Sequence, residues 1–148
     1  MGAAEELKAM ADRQELEPIE RDAAKASALL ADARRSLGTC RSIASKDPKS
    51  ALLLAWDAVA FPTLTAALAI AGYRVTNRMG HHRVAVDAAR LLLASDALMS
   101  RIGSLRRMRD RGMYEMESPE VAEVAEAMDD CDQLIELVVI AAQRAEGH

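Results

Sequence analysis

The stretch Arg106-Arg107-Met108-Arg109-Asp110-Arg111-Gly112-Met113-Tyr114-Glu115 carries most of what this chain could use for chemistry. Guanidinium groups match phosphate oxygens in bidentate fashion, and a neighbouring phenol and carboxylate would complete a phosphate site. Gly112 would let the chain leave a helix there and turn Tyr114 back toward Arg109. The bland alternative is a set of solvated arginines serving a helix C-terminus.

The charge around this stretch is partitioned. From Tyr73 to Arg111 there are nine arginines (74, 78, 83, 90, 101, 106, 107, 109, 111) against Asp87, Asp96 and Asp110. Residues 1–22 hold seven acids and three bases, and residues 115–148 hold ten acids and one base, Arg144. A cationic middle suits a phosphate or an acidic partner. It would equally suit a basic helix neutralising an acidic one, through contacts of Arg106, Arg107 and Arg109 with Glu120, Glu123, Glu126 or Asp130.

Other chemistries lack their signatures. There is no glycine-rich phosphate loop, nucleophile elbow, His-Glu-x-x-His or pair of zinc-binding cysteines, so no metal or cofactor is expected. His81 and His82 are adjacent and would point about 100° apart on a helix, which suits capping or anion contact better than a shared metal. Asp57 stands alone in an apolar run and needs a partner, an arginine or a backbone amide. Cys40 and Cys131 fall on apolar stripes and read as buried thiols in a reducing cytoplasm. The acidic N-terminus resembles neither a signal nor a transit peptide.

The elements that must position these groups are helices. The chain has 148 residues, 51% of them hydrophobic but only 3% aromatic. A core of Ala, Leu, Val, Ile and Met favours close helix packing over strands. Residues 1–17 read as a polar, frayed helical extension, and 18–148 as one bundle of about five helices running up and down. Pro18 is expected to open a long helix whose inner face is Ile19, Ala23, Ala26, Leu30, Ala33, Leu37, Cys40 and Ala44. Asp47-Pro48 ends it and starts the next, which is apolar all round and stops at Gly72. That second helix could span a bilayer by length, but Pro62 and its Ala- and Thr-rich make-up suit the centre of a bundle better. Residues 73–80 read as a loop, His81 as the start of a third helix, Ser95-Asp96 as a cap or kink, and Gly112 as the end of the fourth. Ser118-Pro119 starts the last helix, in which Val121, Val124, Met128, Cys131, Ile135, Val138 and Ala142 step by three and four along the inner face. Its final turns add Leu134, Leu137, Val139 and Ile140, a second apolar face suited to a two-fold dimer.

Around Arg109 the sequence resembles the HEPN family (higher eukaryotes and prokaryotes nucleotide-binding), small helical bundles of toxins, RNases and nucleotide-handling proteins. The family hallmark is Arg, a polar residue, a few more residues and His at the end of a long helix. Here it reads Arg109-Asp110-Arg111-Gly112-Met113-Tyr114. The order of segments is similar too, from Trp56-Asp57 in an apolar helix through Gly72-Tyr73-Arg74-Val75-Thr76 to Gly80-His81-His82. The resemblance covers Pro18 to Ala142. It implies a dimer with two motifs facing across a cleft and, in RNase members, metal-independent attack by the ribose 2′-hydroxyl on the adjacent phosphate. Arg109 would then stabilise phosphate and Asp110 orient it. Tyr114 stands where the family has His, and a phenol with a pKa of about 10 is a poor base.

The expectation is therefore a cytoplasmic HEPN-like module binding RNA, nucleotide or a partner protein in a toxin–antitoxin or phage-defence setting, catalytically weak or inactive. Arg106, Arg107, Arg111, Arg78, His81 and His82 would contact phosphate. A metal-independent endoribonuclease using Arg109, Asp110 and Tyr114 is the alternative. Expected partners are a second copy of the chain through the last helix and a cognate antitoxin or nucleotidyltransferase, with no membrane.

Overall fold

A computed structural model describes residues 2–114 and 118–147, with the side chain of Tyr114 outside that description. The chain is all-α apart from one short strand pair. Its order is α1 (Ala3–Asp12), β1 (Leu16–Pro18), α2 (Ala23–Ile43), α3 (Pro48–Leu54), a π-helical turn (Ala55–Ala60), α4 (Phe61–Ala71), β2 (Tyr73–Val75), α5 (His81–Leu92), α6 (Asp96–Tyr114) and α7 (Val121–Glu146). Because α3, the π turn and α4 run on as one rod, five long helices make the bundle and α1 adds a sixth.

Local signals explain most of these boundaries. Asp22 caps α2 by accepting from the Lys25 amide, and Asp47 caps α3 by accepting from the Ser50 amide with Pro48 behind it. Ala26, Leu30, Ala33, Leu37 and Cys40 then step by four and three along the buried face of α2. Pro62 has no N–H to give the preceding turn, and its ring crowds the carbonyl four residues back. The widened turn at Ala55–Ala60 lies immediately before it and absorbs that conflict. Gly72 ends α4 at φ 89°, where a Cβ would lie 3.2 Å from the Ile19 carbonyl oxygen. Both facts favour glycine there.

The rod Pro48–Ala71 is long and apolar enough to cross a membrane by length and composition, and it lies at the centre of the bundle, with α4 packed against α2, α5 and α7. α7 runs antiparallel to α2, with Arg34 paired to Glu136 and Arg41 to Asp129. It also runs beside α6, where Arg101 reaches Asp130 at 2.9 Å. The core joins Trp56 and Leu64 of the rod to Met99 and Ile102 of α6 and Leu134 and Ile135 of α7. Burial pushes the pKa values of the Cys40 and Cys131 thiols up, which keeps both in the protonated, unreactive form.

Five readings of the sequence change in the structure, the first being residues 73–80, of which Tyr73–Val75 form β2 rather than a loop. Pro18 does not open a helix. It ends β1, which pairs antiparallel with β2 in the register Leu16 to Val75 and Pro18 to Tyr73, and Ile19 lies outside α2. The opening segment is not a frayed polar extension either, because Leu7 and Met10 of α1 join Leu16 in a second small core with Leu68, Val84 and Ala88. α7 begins two residues after Pro119, where Glu120 and Glu123 exchange side-chain and backbone bonds in a capping box. Finally, α6 does not end at Gly112 but continues through it to Tyr114.

Candidate functional site

The end of α6, the start of α5 and the π turn meet in one polar and aromatic cluster. Asp57 extends from the π turn, and its Oδ1 lies 3.1 Å from Arg109 Nη2. On the other side of the guanidinium, Arg109 Nη1 lies 3.3 Å from Asp110 Oδ1. Asp110 also receives Arg106 Nη1 at 3.2 Å. The partner that Asp57 required is thus Arg109, although Asp57 is not the buried carboxylate the apolar run suggested, since its side chain is 46% exposed and that of Arg109 only 16%. Burial works against the Arg109 charge, but the hydrogen bond and charge of Asp57, with Asp110 adding, hold its pKa above the usual value. Arg109 Nε is buried and has no hydrogen-bond partner among the described residues.

The aromatic half of the cluster fixes two imidazoles. Trp56, which is fully buried, donates from Nε1 to His82 Nδ1 at 3.1 Å. An indole nitrogen can only donate, so His82 Nδ1 carries no proton and its Nε2 does. His81 Nδ1 lies 3.1 Å from the Arg78 carbonyl oxygen, which can only accept. His81 is therefore the opposite tautomer, with its lone pair on Nε2. Phe61 packs against both, its ring centre 4.6 Å from that of His82 and 5.7 Å from that of His81.

Burial depresses the His82 pKa, and the nearby His81 and Arg109 depress it further against the opposing pull of Asp57 and Asp110. Protonation must break the Trp56 hydrogen bond, because imidazolium has no lone pair. The unfolded chain takes up this proton near the ordinary histidine value, the folded chain only at lower pH. The stability contributed by neutral His82 is therefore present above the unfolded value and is lost as pH falls through the folded one. Trp56 is the chain's one tryptophan, and imidazolium in contact with indole quenches its emission. A fluorescence titration should show quenching centred below the ordinary histidine pKa of 6.5. The quenching should vanish in His82→Gln and persist in His81→Gln.

The cluster gathers Arg109, Asp110, Arg106, His81 and His82 of the residues nominated from sequence. It does not gather the others. Arg78 donates to the side chain of Gln14, which ties the 76–80 turn to the start of β1. Arg107 donates to Ser104 Oγ and lines the groove between α5 and α6. Arg111 lines a separate cavity of about 90 Å³ with Leu52, Ser118 and Pro119. The return of Tyr114 toward Arg109 required a turn at Gly112 that is not made, and the phenol itself lies outside the described residues.

Phe61 was not singled out, Trp56 entered only beside Asp57, and Arg83 and Arg90 only among the nine arginines of the cationic middle; these two face Arg106 and Arg107 across the α5–α6 groove. The sequence signal for Trp56 was its adjacency to the lone carboxylate Asp57, and only tertiary packing joins that pair to the arginine motif. None of Arg106, Arg107 and Arg109 pairs with an acid of α7 among the described residues, and Arg101 is the α6 residue that does. The neutralisation reading thus loses the contacts it required. Among the described residues no three His, Cys, Asp or Glu side chains group as metal ligands. No family model, curated protein or solved structure matches this chain.

Proposed function

We propose that the chain is a HEPN-like helical module that binds RNA, nucleotide or a partner protein without turning over RNA. The observation that carries this reading is the neutralised state of its motif. Arg109 sits between Asp57 and Asp110, so a phosphate would have to displace two carboxylates to reach it. His82, which senses the charges of Arg109, Asp57 and Asp110, has its Nδ1 taken by Trp56 and a proton on Nε2, and so cannot act as a base. Of the apolar side chains expected to form a second face on α7, Leu134 is in the core and Leu137 and Val139 pack against it, which leaves Ile140, 42% exposed, as the one that supports pairing of two copies through that helix. A cytoplasmic toxin–antitoxin or phage-defence setting, with an antitoxin or nucleotidyltransferase partner, fits such a module.

The alternative is a metal-independent endoribonuclease using Arg109, Asp110 and Tyr114. One observation favours it: the Nε2 lone pair of His81 stands beside the cluster and could take a proton. Incubating RNA with excess protein in chelator separates the two readings. The module reading expects intact RNA. Cleavage that is lost in Arg109→Ala would replace it with the nuclease, and its loss in Tyr114→Phe or in His81→Gln would say which group moves the proton.

A further inference from the structure

We infer that the groove between α5 and α6 is the site where this chain takes linked phosphoryl groups, and that this anion contact is made away from Arg109. The inference rests on the binding-module reading above and names the ligand chemistry of that module. The two helices border an open groove of about 330 Å³ lined by Arg83, Asp87 and Arg90 from α5 and by Ser100, Arg106 and Arg107 from α6. Val86 and Gly103 complete the lining. The volume is in the range of small-ligand sites.

The charge of this groove is largely unanswered. Four guanidinium groups face one carboxylate, Asp87, whose contact with Arg83 is long at 4.0 Å. Among the described residues Arg107 has only the Ser104 hydroxyl as a partner, and Arg90 has no hydrogen bond or ion pair. Arg106 gives one nitrogen to Asp110. Arg109, by comparison, is held by two carboxylates. A concave wall with a net charge of one sign concentrates counter-ions, and guanidinium groups select phosphate oxygens by their fork geometry. Arg83 and Arg90 stand two turns apart, about 10 Å along the axis. Four guanidinium charges set against Asp87 leave more positive charge than the roughly −2 of one phosphate balances, so the ligand that matches them carries several: a free oligophosphate, the phosphate tail of a nucleotide, or consecutive phosphodiesters of a nucleic acid.

Calorimetric titration of the full chain with tripolyphosphate, adenosine triphosphate and a single-stranded RNA oligonucleotide separates these sources. At least one should bind, with an affinity that falls as salt rises. Arg90→Gln and Arg107→Gln should each weaken it about tenfold, the scale of a lost charge-assisted hydrogen bond. The double variant should lose about a hundredfold if the two contacts are independent. Both residues are exposed, and circular dichroism would confirm that the variants keep their helices. Arg144→Gln, at the far end of α7, should bind as the parent does. Binding that survives both groove substitutions overturns the groove and leaves the module reading standing. No binding of any of the three probes overturns the groove and the RNA and nucleotide forms of the module reading together.

Discussion

Replacing Trp56 with Ala should lower the unfolding free energy by about 3–5 kcal/mol, a large share of the 5–15 kcal/mol typical of a domain. The indole is fully buried, and it is the largest side chain in that state. It fills the π turn, with its ring centre 6.0 Å from that of Phe61 and 5.5 Å from that of His82. Ala leaves a cavity that the rod Pro48–Ala71, packed on several sides, cannot collapse to fill. Trp56→Phe separates packing from polarity, because it keeps much of the volume but leaves His82 Nδ1 without its donor, at a cost of about 1–2 kcal/mol for the unmet acceptor. Urea unfolding followed by circular dichroism measures both. A loss below about 1 kcal/mol in Trp56→Ala would mean that the π turn is not a load-carrying part of the core.

Arg109→Ala should cost about 2 kcal/mol, less than the 3–5 kcal/mol seen when one member of a fully buried ion pair is removed. The discount follows from exposure: Asp57 at 46% and Asp110 at 36% can both rehydrate once the cation is gone. Asp57→Asn should cost less, since the amide oxygen still accepts from Arg109. Combining Asp57→Ala with Arg109→Ala should recover part of the sum of the single losses, because each single change leaves the other group uncompensated. Strict additivity of the two losses in urea unfolding would show that the pair contributes nothing as a pair.

The features legible in the sequence were those set by neighbours along the chain. Asp47-Pro48 marks a helix start with a cap and a preformed φ, and Gly72 marks a stop because the residue there must adopt a left-handed conformation. The stripe from Ala26 to Cys40 needed only its period. Pro18 misled because its ring suits a first helical turn and an edge strand alike. The choice was made by Tyr73–Val75, more than fifty residues away, which supplies the pairing edge. Ser118-Pro119 and Glu120–Glu123 are competing start signals two residues apart, and the reciprocal bonds of the capping box prevailed. Gly112 resembled a C-cap, yet a helix tolerates one glycine for about 1 kcal/mol, and α6 does so.

The site divided along the same line. Arg109 and Asp110 were legible as neighbours in one motif, as was the need of Asp57 for a counter-charge. That Arg109 is the residue meeting this need, and that Arg83 and Arg90 stand opposite Arg106 and Arg107, follows from how α5, α6 and the central rod pack. No periodicity in a single helix carries that information.

The winding of the central rod has a consequence for its length. A π turn holds one residue more than the regular turns on either side, and each residue of a helix adds about 100° of rotation. Ala51 and Leu52 before it, and Leu64 and Leu68 after it, are all sealed from solvent, so both halves pack into the core with that surplus residue between them. Excising a single alanine between positions 55 and 60 would restore uniform pitch and swing one half by roughly a quarter turn. Either Leu64 and Leu68 would leave their present neighbours or the carboxylate at 57 would turn away from its guanidinium. The chain is therefore far less tolerant of a one-residue deletion here than its plain, alanine-rich composition suggests.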